Sequence, residues 1–200
     1  MDGHIKLMAK ISNREKILQE GMRVVHERGF GGASVRDIVQ AAGVPQGSFT
    51  NHFGSKEAFG LEVIDLYFAN ARAVMRETLL NDALPPLERL GAYIDANKHR
   101  LNQCEMRHGC LFGNFTAEAS AESEVIRHKL VEVFAEIQQS VAYCLKAAVA
   151  AGELPADFDC DETAGFIISS LQGANLLSKA HRSPVPVERF RKILFETILR

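Results

Sequence analysis

The 200-residue chain has no apolar run long enough to span a bilayer. Residues 1–11 also lack the continuous apolar stretch of a signal peptide, so a cytoplasmic protein with no membrane partner is expected. Cysteine is sparse: Cys104, Cys110, Cys144 and Cys160 are scattered with no CxxC pair, which argues against a disulfide framework and for four reduced thiols. His99, Cys104, His108 and Cys110 are crowded enough to raise a metal site. Their spacing does not place all four on one helical face, however, and zinc ligands normally come in close pairs, so no metal or other cofactor is expected. Charge of one sign is also missing, with 23 Lys and Arg against 25 Asp and Glu. By region the balance tilts slightly: residues 1–60 hold eight basic and six acidic side chains, and the remainder fifteen and nineteen. That is a mildly positive front, too slight to argue for nucleic acid by itself. There is no strand alternation, internal repeat or low-complexity tract, which leaves an all-α globular chain with 46% hydrophobic residues for its core.

Within that chain the stretch from Ser34 to Phe53, SVRDIVQAAGVPQGSFTNHF, reads as two short helices across a tight turn. Ser34 with Asp37 makes a capping-box start, and Val35, Ile38 and Val39 fall on one helical face. Ala41 and Ala42 allow a close crossing, Gly43 supplies a left-handed stop, and Val44 plugs the corner. Pro45 suits the first turn of a second helix, expected from about Pro45 to Asn51 with Gln46, Ser48, Thr50 and Asn51 outward. Uncharged hydrogen-bonding groups of this kind suit base edges and phosphates, and Gly47 among them permits close backbone approach. The plainer alternative is a surface hairpin with polar residues facing water. After it, Gly54 breaks the chain, Ser55 can cap a further helix, and Lys56 with that helix's N–H groups can clamp a phosphate.

The remainder reads as helix after helix. Residues up to Ile11, with His4, Lys6 and Lys10, look like a loose basic arm, and Ser12 with Glu15 caps a helix running to Gly29. A long helix is expected from Lys56 to about Leu80, then a linker through Pro86, a helix from about Leu87 to Gln103, and an interruption over Arg107 to Gly113. A short helix follows over Phe115 to Ser120, with further helices over Ser123 to Ala151, Asp161 to Ala180 and Val187 to Leu199. In the penultimate one Gly165, Ser169 and Gly173 make a stripe nearly free of side-chain bulk, with Phe166, Ile167, Leu171 and Leu176 expected on other faces. The last helix carries Phe190, Ile193, Leu194, Ile198 and Leu199. Two such helices from each of two chains would make a four-helix homodimer interface.

Gly29-Phe30, Ser34 to Ile38, Ala41-Ala42-Gly43-Val44, Gly47-Ser48-Phe49 and Phe53 with Ser55-Lys56-Glu57 together resemble the DNA-binding region of the TetR family of bacterial transcriptional repressors. The resemblance covers the first quarter to third of the chain. It implies a helix-turn-helix DNA-binding domain over residues 11–71 (the motif itself at 34–53) and an effector-binding, dimerising domain over 72–200. The candidate DNA-contacting residues are Ser34, Arg36, Gln46, Gly47, Ser48, Thr50, Asn51, His52 and Lys56. One departure stands out: the family usually has tyrosine where this chain has Thr50.

Two later stretches, HGCLFGNFTAEAS (108–120) and LQGANLLSKAHRS (171–183), resemble the electrophile-responsive branch of that family that includes the N-ethylmaleimide reductase repressor. In that branch the cysteine matching Cys110 is tied to sensing. From the residues themselves, Gly109 and the cationic neighbours suggest an accessible, reactive thiol at Cys110, with Lys179 able to approach it; an inert buried cysteine is the alternative. A reversible ligand would instead occupy a pocket lined by Phe112, Phe115, Phe134 and Phe166. The expected function is a repressor on a palindromic double-stranded operator, released by a small-molecule effector, with an electrophile as one candidate. A cysteine enzyme with His108 or His99 as base lacks an acid partner and a phosphate loop, and a protein-binding helical adaptor is the other rival.

Overall fold

The structure, a computed structural model, describes residues 11–200; the proposed basic arm with His4, Lys6 and Lys10 lies outside them. The described residues form helices and no strands: α1 (Asn13–Arg28), α2 (Val35–Ala41), α3 (Gly47–His52), α4 (Lys56–Glu77), α5 (Pro86–Asn102), α6 (Leu111–Ala119), α7 (Glu124–Ala150), α8 (Cys160–His181) and α9 (Val185–Ile193), which passes into a π-helical turn over Leu194–Ile198. None of these helices is long and apolar enough to cross a membrane. The chain divides into two compact units, a front unit ending at Val63 and a back unit over Ile64–Arg200, and α4 runs from one into the other.

Both capping boxes are present in the front unit. The Ser12 and Ser34 hydroxyls accept from the N–H groups of Glu15 and Asp37, whose carboxylates accept in return from the two serine N–H groups. Gly43 takes the left-handed conformation, φ 64°, that lets the chain turn after α2. α1 then packs on α2 and α3 through Ile17, Val24 and Val25. Beneath α3 three rings meet: Phe49, Phe53 and Phe59 have centroids 5.1 to 5.3 Å apart. Gly21 faces this cluster from α1, and a Cβ there would stand 2.5 Å from Phe59 Cζ and 2.9 Å from Ile38 Cγ2. Only a glycine lets the helices approach so closely.

In the back unit α7 packs on α5, α6 and α8, and α8 carries α9. The back part of α4 is tied to α7 by two ion pairs, Lys129 to Asp65 and a two-pronged Arg72 to Glu136, both at 2.6 Å. Arg89 is buried where α5 begins, donating to the Leu84 carbonyl and to the Asp82 carboxylate, which also accepts from the Tyr143 hydroxyl; this fixes the turn between α4 and α5.

Some element boundaries differ from the expectation. α6 starts at Leu111, so Gly113 lies inside a helix that was expected to begin at Phe115. The reason is packing: a Cβ on Gly113 would sit 3.4 Å from Gln172 Oε1 and 3.9 Å from Cys110 Cβ, so this glycine marks a close approach to α8 rather than a break. Pro186 likewise sits in the first turn of α9, where its missing N–H leaves nothing unmade. On α8, Phe166, Ser169, Gly173, Leu176 and Leu177 share one exposed face, while Ile167, Ile168 and Leu171 turn inward. Phe166 and Leu176 therefore flank the small-residue stripe instead of lying on other faces.

Gly21→Ala should destabilise the front unit by about 1–3 kcal/mol, because overpacking against Phe59 outweighs the roughly 1 kcal/mol that alanine gains in helix propensity. Urea unfolding followed by circular dichroism measures it. An unchanged or raised midpoint would mean that Phe59 can step aside.

Candidate nucleic-acid interface and effector cluster

α3 has six residues and cannot sustain itself by its own hydrogen bonds. It begins at Gly47, two residues after the expected Pro45, with Gln46 already in helical conformation. The Pro45 and Gln46 carbonyls accept from the Ser48 and Phe49 N–H groups at 2.9 and 3.2 Å. Phe49, 2% exposed, pins the inner face. That leaves Gln46, Gly47, Thr50, Asn51 and His52 exposed and Ser48 half-buried, so the six residues of this helix region named in the sequence occupy one short element. No heavy atom lies within 4 Å of where a Gly47 Cβ would be, and the backbone is open to approach there.

The other candidates carry internal duties. The Ser34 hydroxyl donates to the Asp37 carboxylate while capping α2. Those bonds, supported by Arg28 at 2.9 Å, hold the Asp37 carboxyl below the usual carboxylate range. The Thr50 hydroxyl donates to the Gly47 carbonyl at 3.0 Å. Lys56 lies over the Phe30 ring, Nζ 4.8 Å from its centroid, and reaches the Gly31 carbonyl at 3.4 Å. Ser55 caps α4 as expected, its hydroxyl accepting from the Ala58 N–H at 3.0 Å, and Arg36 stands exposed on α2. The face is therefore neutral donors and acceptors with a basic edge, suited to a groove rather than to an apolar partner.

In the back unit the proposed effector residues divide. Cys110 is the residue before α6 and is only 7% exposed, so the expectation of an accessible thiol is corrected: the early start of α6 draws residues 110–112 into the core. Phe112 meets Tyr67, Phe68 and Phe134 edge to face, with centroids 4.8, 5.9 and 6.1 Å away. Phe115 is buried, but Phe166 is 50% exposed on the outer face of α8, so the four phenylalanines do not line one pocket. Lys179 reaches Gly109 and Asn114, on either side of Cys110 in the sequence. Its stem packs on Gly109, where a Cβ would lie 3.1 Å from Lys179 Cδ, and its ammonium donates to Asn114 Oδ1 at 3.2 Å. Asn114 in turn donates through its side chain to the His108 carbonyl and through its N–H to the Cys110 carbonyl. Burial, and then the nearby Cys110, raise the Tyr93 phenol above its ordinary pKa. Burial pushes the Cys144 thiol up to about 11 and also raises Cys160, which disfavours the thiolate at both.

Sequence reasoning missed the polar members of this cluster: Tyr67, Tyr93, Asn97, Arg100, Asn114, Asn175 and Ser178. A signal was present. Asn175 and Ser178 continue the buried stripe Ala164, Ile167, Ile168 and Leu171 at helical spacing, which makes them polar residues on an apolar face.

Residues 17–63 match the model for bacterial regulatory proteins of the tetR family, and residues 86–194 match the tetracyclin repressor-like C-terminal domain. The chain is 37% identical over 192 residues to the HTH-type transcriptional repressor DhaR of Mycobacterium sp. strain GP1, spanning 96% of this chain and 95% of DhaR. It is 30% identical over 183 residues to the HTH-type transcriptional repressor NemR of Escherichia coli strain K12, spanning 88% of each. Among solved structures, the regulatory protein TetR from Rhodobacter sphaeroides superposes with a TM-score of 0.85 at 30% identity, over 90% of this chain and 95% of that one. The chain belongs to the TetR family and is a DNA-binding transcriptional repressor.

Proposed function

We propose that the chain works in the cytoplasm as a homodimer on a palindromic double-stranded operator, and that an effector bound in the back unit releases it. The DNA-binding part is assigned to residues 11–71 and the effector and dimerisation part to 72–200. One observation carries the dimer: the outer face of α8 leaves Phe166, Leu176 and Leu177 at 50, 67 and 51% exposure around Ser169 and Gly173, with Ile193 of α9 at 50%. So much contiguous apolar surface favours a partner, and a second copy supplies the matching face. A dimer also suits a six-residue reading helix, because two copies reading two half-sites gain what one lacks. The ion pairs from α4 to α7 and the Tyr67–Phe112 contact offer the route by which a change near α6 reaches α4 and alters the separation of the two reading helices. Such a repressor acts by binding, with no catalytic step.

An electrophile that adds to Cys110 is the proposed trigger. The stretches 108–120 and 171–183 resemble the electrophile-responsive branch of the family, and Asn114, which accepts from Lys179, donates its N–H to the Cys110 carbonyl. Reaching a thiol this enclosed requires the connection from α5 to α6 to open. Glu105 and Met106 in that connection hold left-handed φ values of 50° and 59°, a strained backbone that opening would relieve.

Three outcomes are expected. Gly173→Leu should dissociate the dimer without unfolding the chain, since a Cβ there meets nothing within 4 Å of its own chain, while the doubled overpacking at the seam costs about 1–3 kcal/mol per site. An unchanged mass in light scattering would move the interface elsewhere. Lys56→Ala should weaken binding to every DNA sequence alike and lower the salt slope by about one, whereas Gln46→Ala should relax sequence preference. The reverse pattern in a fluorescence-anisotropy titration would exchange their roles. A quinone should release the parent from operator DNA and leave Cys110→Ser bound; release of both would return the cysteine to a packing role and favour a reversible ligand.

A further inference from the structure

Between α4, α5 and α8 the back unit holds a group of buried donors short of acceptors. Asn175 is 1% exposed and Ser178, one turn along the same face, is 0% exposed. Among the described residues neither the Asn175 Nδ2 nor the Ser178 hydroxyl has a hydrogen-bond partner, and the same is true of Arg100 Nη1, also enclosed. Two of the three are linked through Asn97, since Arg100 Nη2 donates to Asn97 Oδ1 and Asn97 Nδ2 donates to Asn175 Oδ1, each at a long 3.5 Å, while Ser178 follows Asn175 along the buried face of α8. The chain of donation ends at Asn175, whose own N–H groups go nowhere. Arg100 has no carboxylate within ion-pair distance among the described residues; its guanidinium lies 5.2 Å over the Tyr67 ring, which meets Phe112 edge to face. Lys179, the residue after Ser178, is likewise bonded only to the neutral Asn114 oxygen.

Arginine has donors and no acceptor, and a buried donor left unmade costs its full desolvation. Nearly all buried polar groups find partners, so three unmade ones, two of them joined through Asn97 and one belonging to a guanidinium with no carboxylate beside it among the described residues, point to an occupant that accepts only. A water molecule would bring two donors of its own into a site already rich in them. A carboxylate brings two oxygens with about four lone pairs and the opposite charge, and the planar guanidinium matches it.

We infer that the back unit binds a small organic carboxylate, its oxygens taken by Arg100, Asn175 and Ser178 and its apolar part laid against Tyr67 and Phe112. This rests on the reading of the back unit as the effector part and gives the reversible ligand, the alternative to the electrophile, a chemical class. It needs no covalent step and does not use Cys110. Because Tyr67 belongs to α4, a carboxylate that draws Arg100 toward Asn175 also changes what lies over that helix.

The test is calorimetric titration of the full chain, free of DNA, with butyrate, hexanoate and benzoate, each beside its matched neutral amide. At least one acid should bind about 10- to 100-fold more tightly than its amide, the range expected for hydrogen bonds to a charged group. Arg100→Gln should remove most of that preference. Equal binding of acid and amide, no binding of any of the three acids, or an unchanged preference in folded Arg100→Gln would overturn the inference. The acid–amide comparison uses only the parent chain, so it decides the matter even where Arg100→Gln does not fold. Operator binding is measured separately: acids that bind with the expected preference yet leave the repressor on DNA contradict the regulatory reading alone, and release by other compounds with no acid bound contradicts only this one.

Discussion

A six-residue helix has no independent existence, and the surface proposed to read DNA depends on one cluster of three rings that holds α3 in place. Phe49 enters from α3, Phe53 from the residue after it and Phe59 from α4, so the same contact fixes the helix, its exit and the start of the helix that leaves the front unit. Edge contacts of this kind give direction as well as burial, because tilted and perpendicular rings are preferred over face-to-face stacks. The absence of a side chain at Gly21 completes the arrangement. Polar residues on the outer face of α3 are then free of any structural task except Thr50, whose hydroxyl is bound within the helix. The separation is physical: the inner face supplies stability and the outer face supplies chemistry.

The start of α4 shows the same economy. Ser55 satisfies its first turn, and Lys56 reaches a ring and a carbonyl. The aromatic face holds the Lys56 ammonium in a defined place.

Much of this was legible from residue types. The two capping boxes state where α1 and α2 begin, since Ser followed by Glu or Asp three residues on closes two backbone bonds at once, and Gly43 marks the turn because few other residues accept its φ. What could not be read was set by partners distant in sequence. Gly113 looks like a helix breaker until Gln172 is seen lying against it. Cys110 looks accessible between glycines until α6 begins one residue later and buries it. Phe112 and Phe166 are the same residue type on neighbouring stretches of interest, yet one meets three rings and the other faces outward, and only the packing of α6 and α8 decides that.

Local rules and the folded structure agree over most of the chain, and natural sequences break such rules mainly where function requires it. By that measure the back unit departs in two places. The outer face of α8 leaves large apolar side chains in water, which lowers the stability of a lone chain and is recovered when a second chain covers them. The inner face of the same helix carries Asn175 and Ser178 into the core with hydrogen bonds unmade, which also lowers stability and is recovered when an acceptor enters. One helix therefore carries an apolar deficit on one side and a polar deficit on the other. The proposed second copy would answer the first and the proposed ligand the second, and a repressor that assembles and then responds needs both kinds of incompleteness in its folded state.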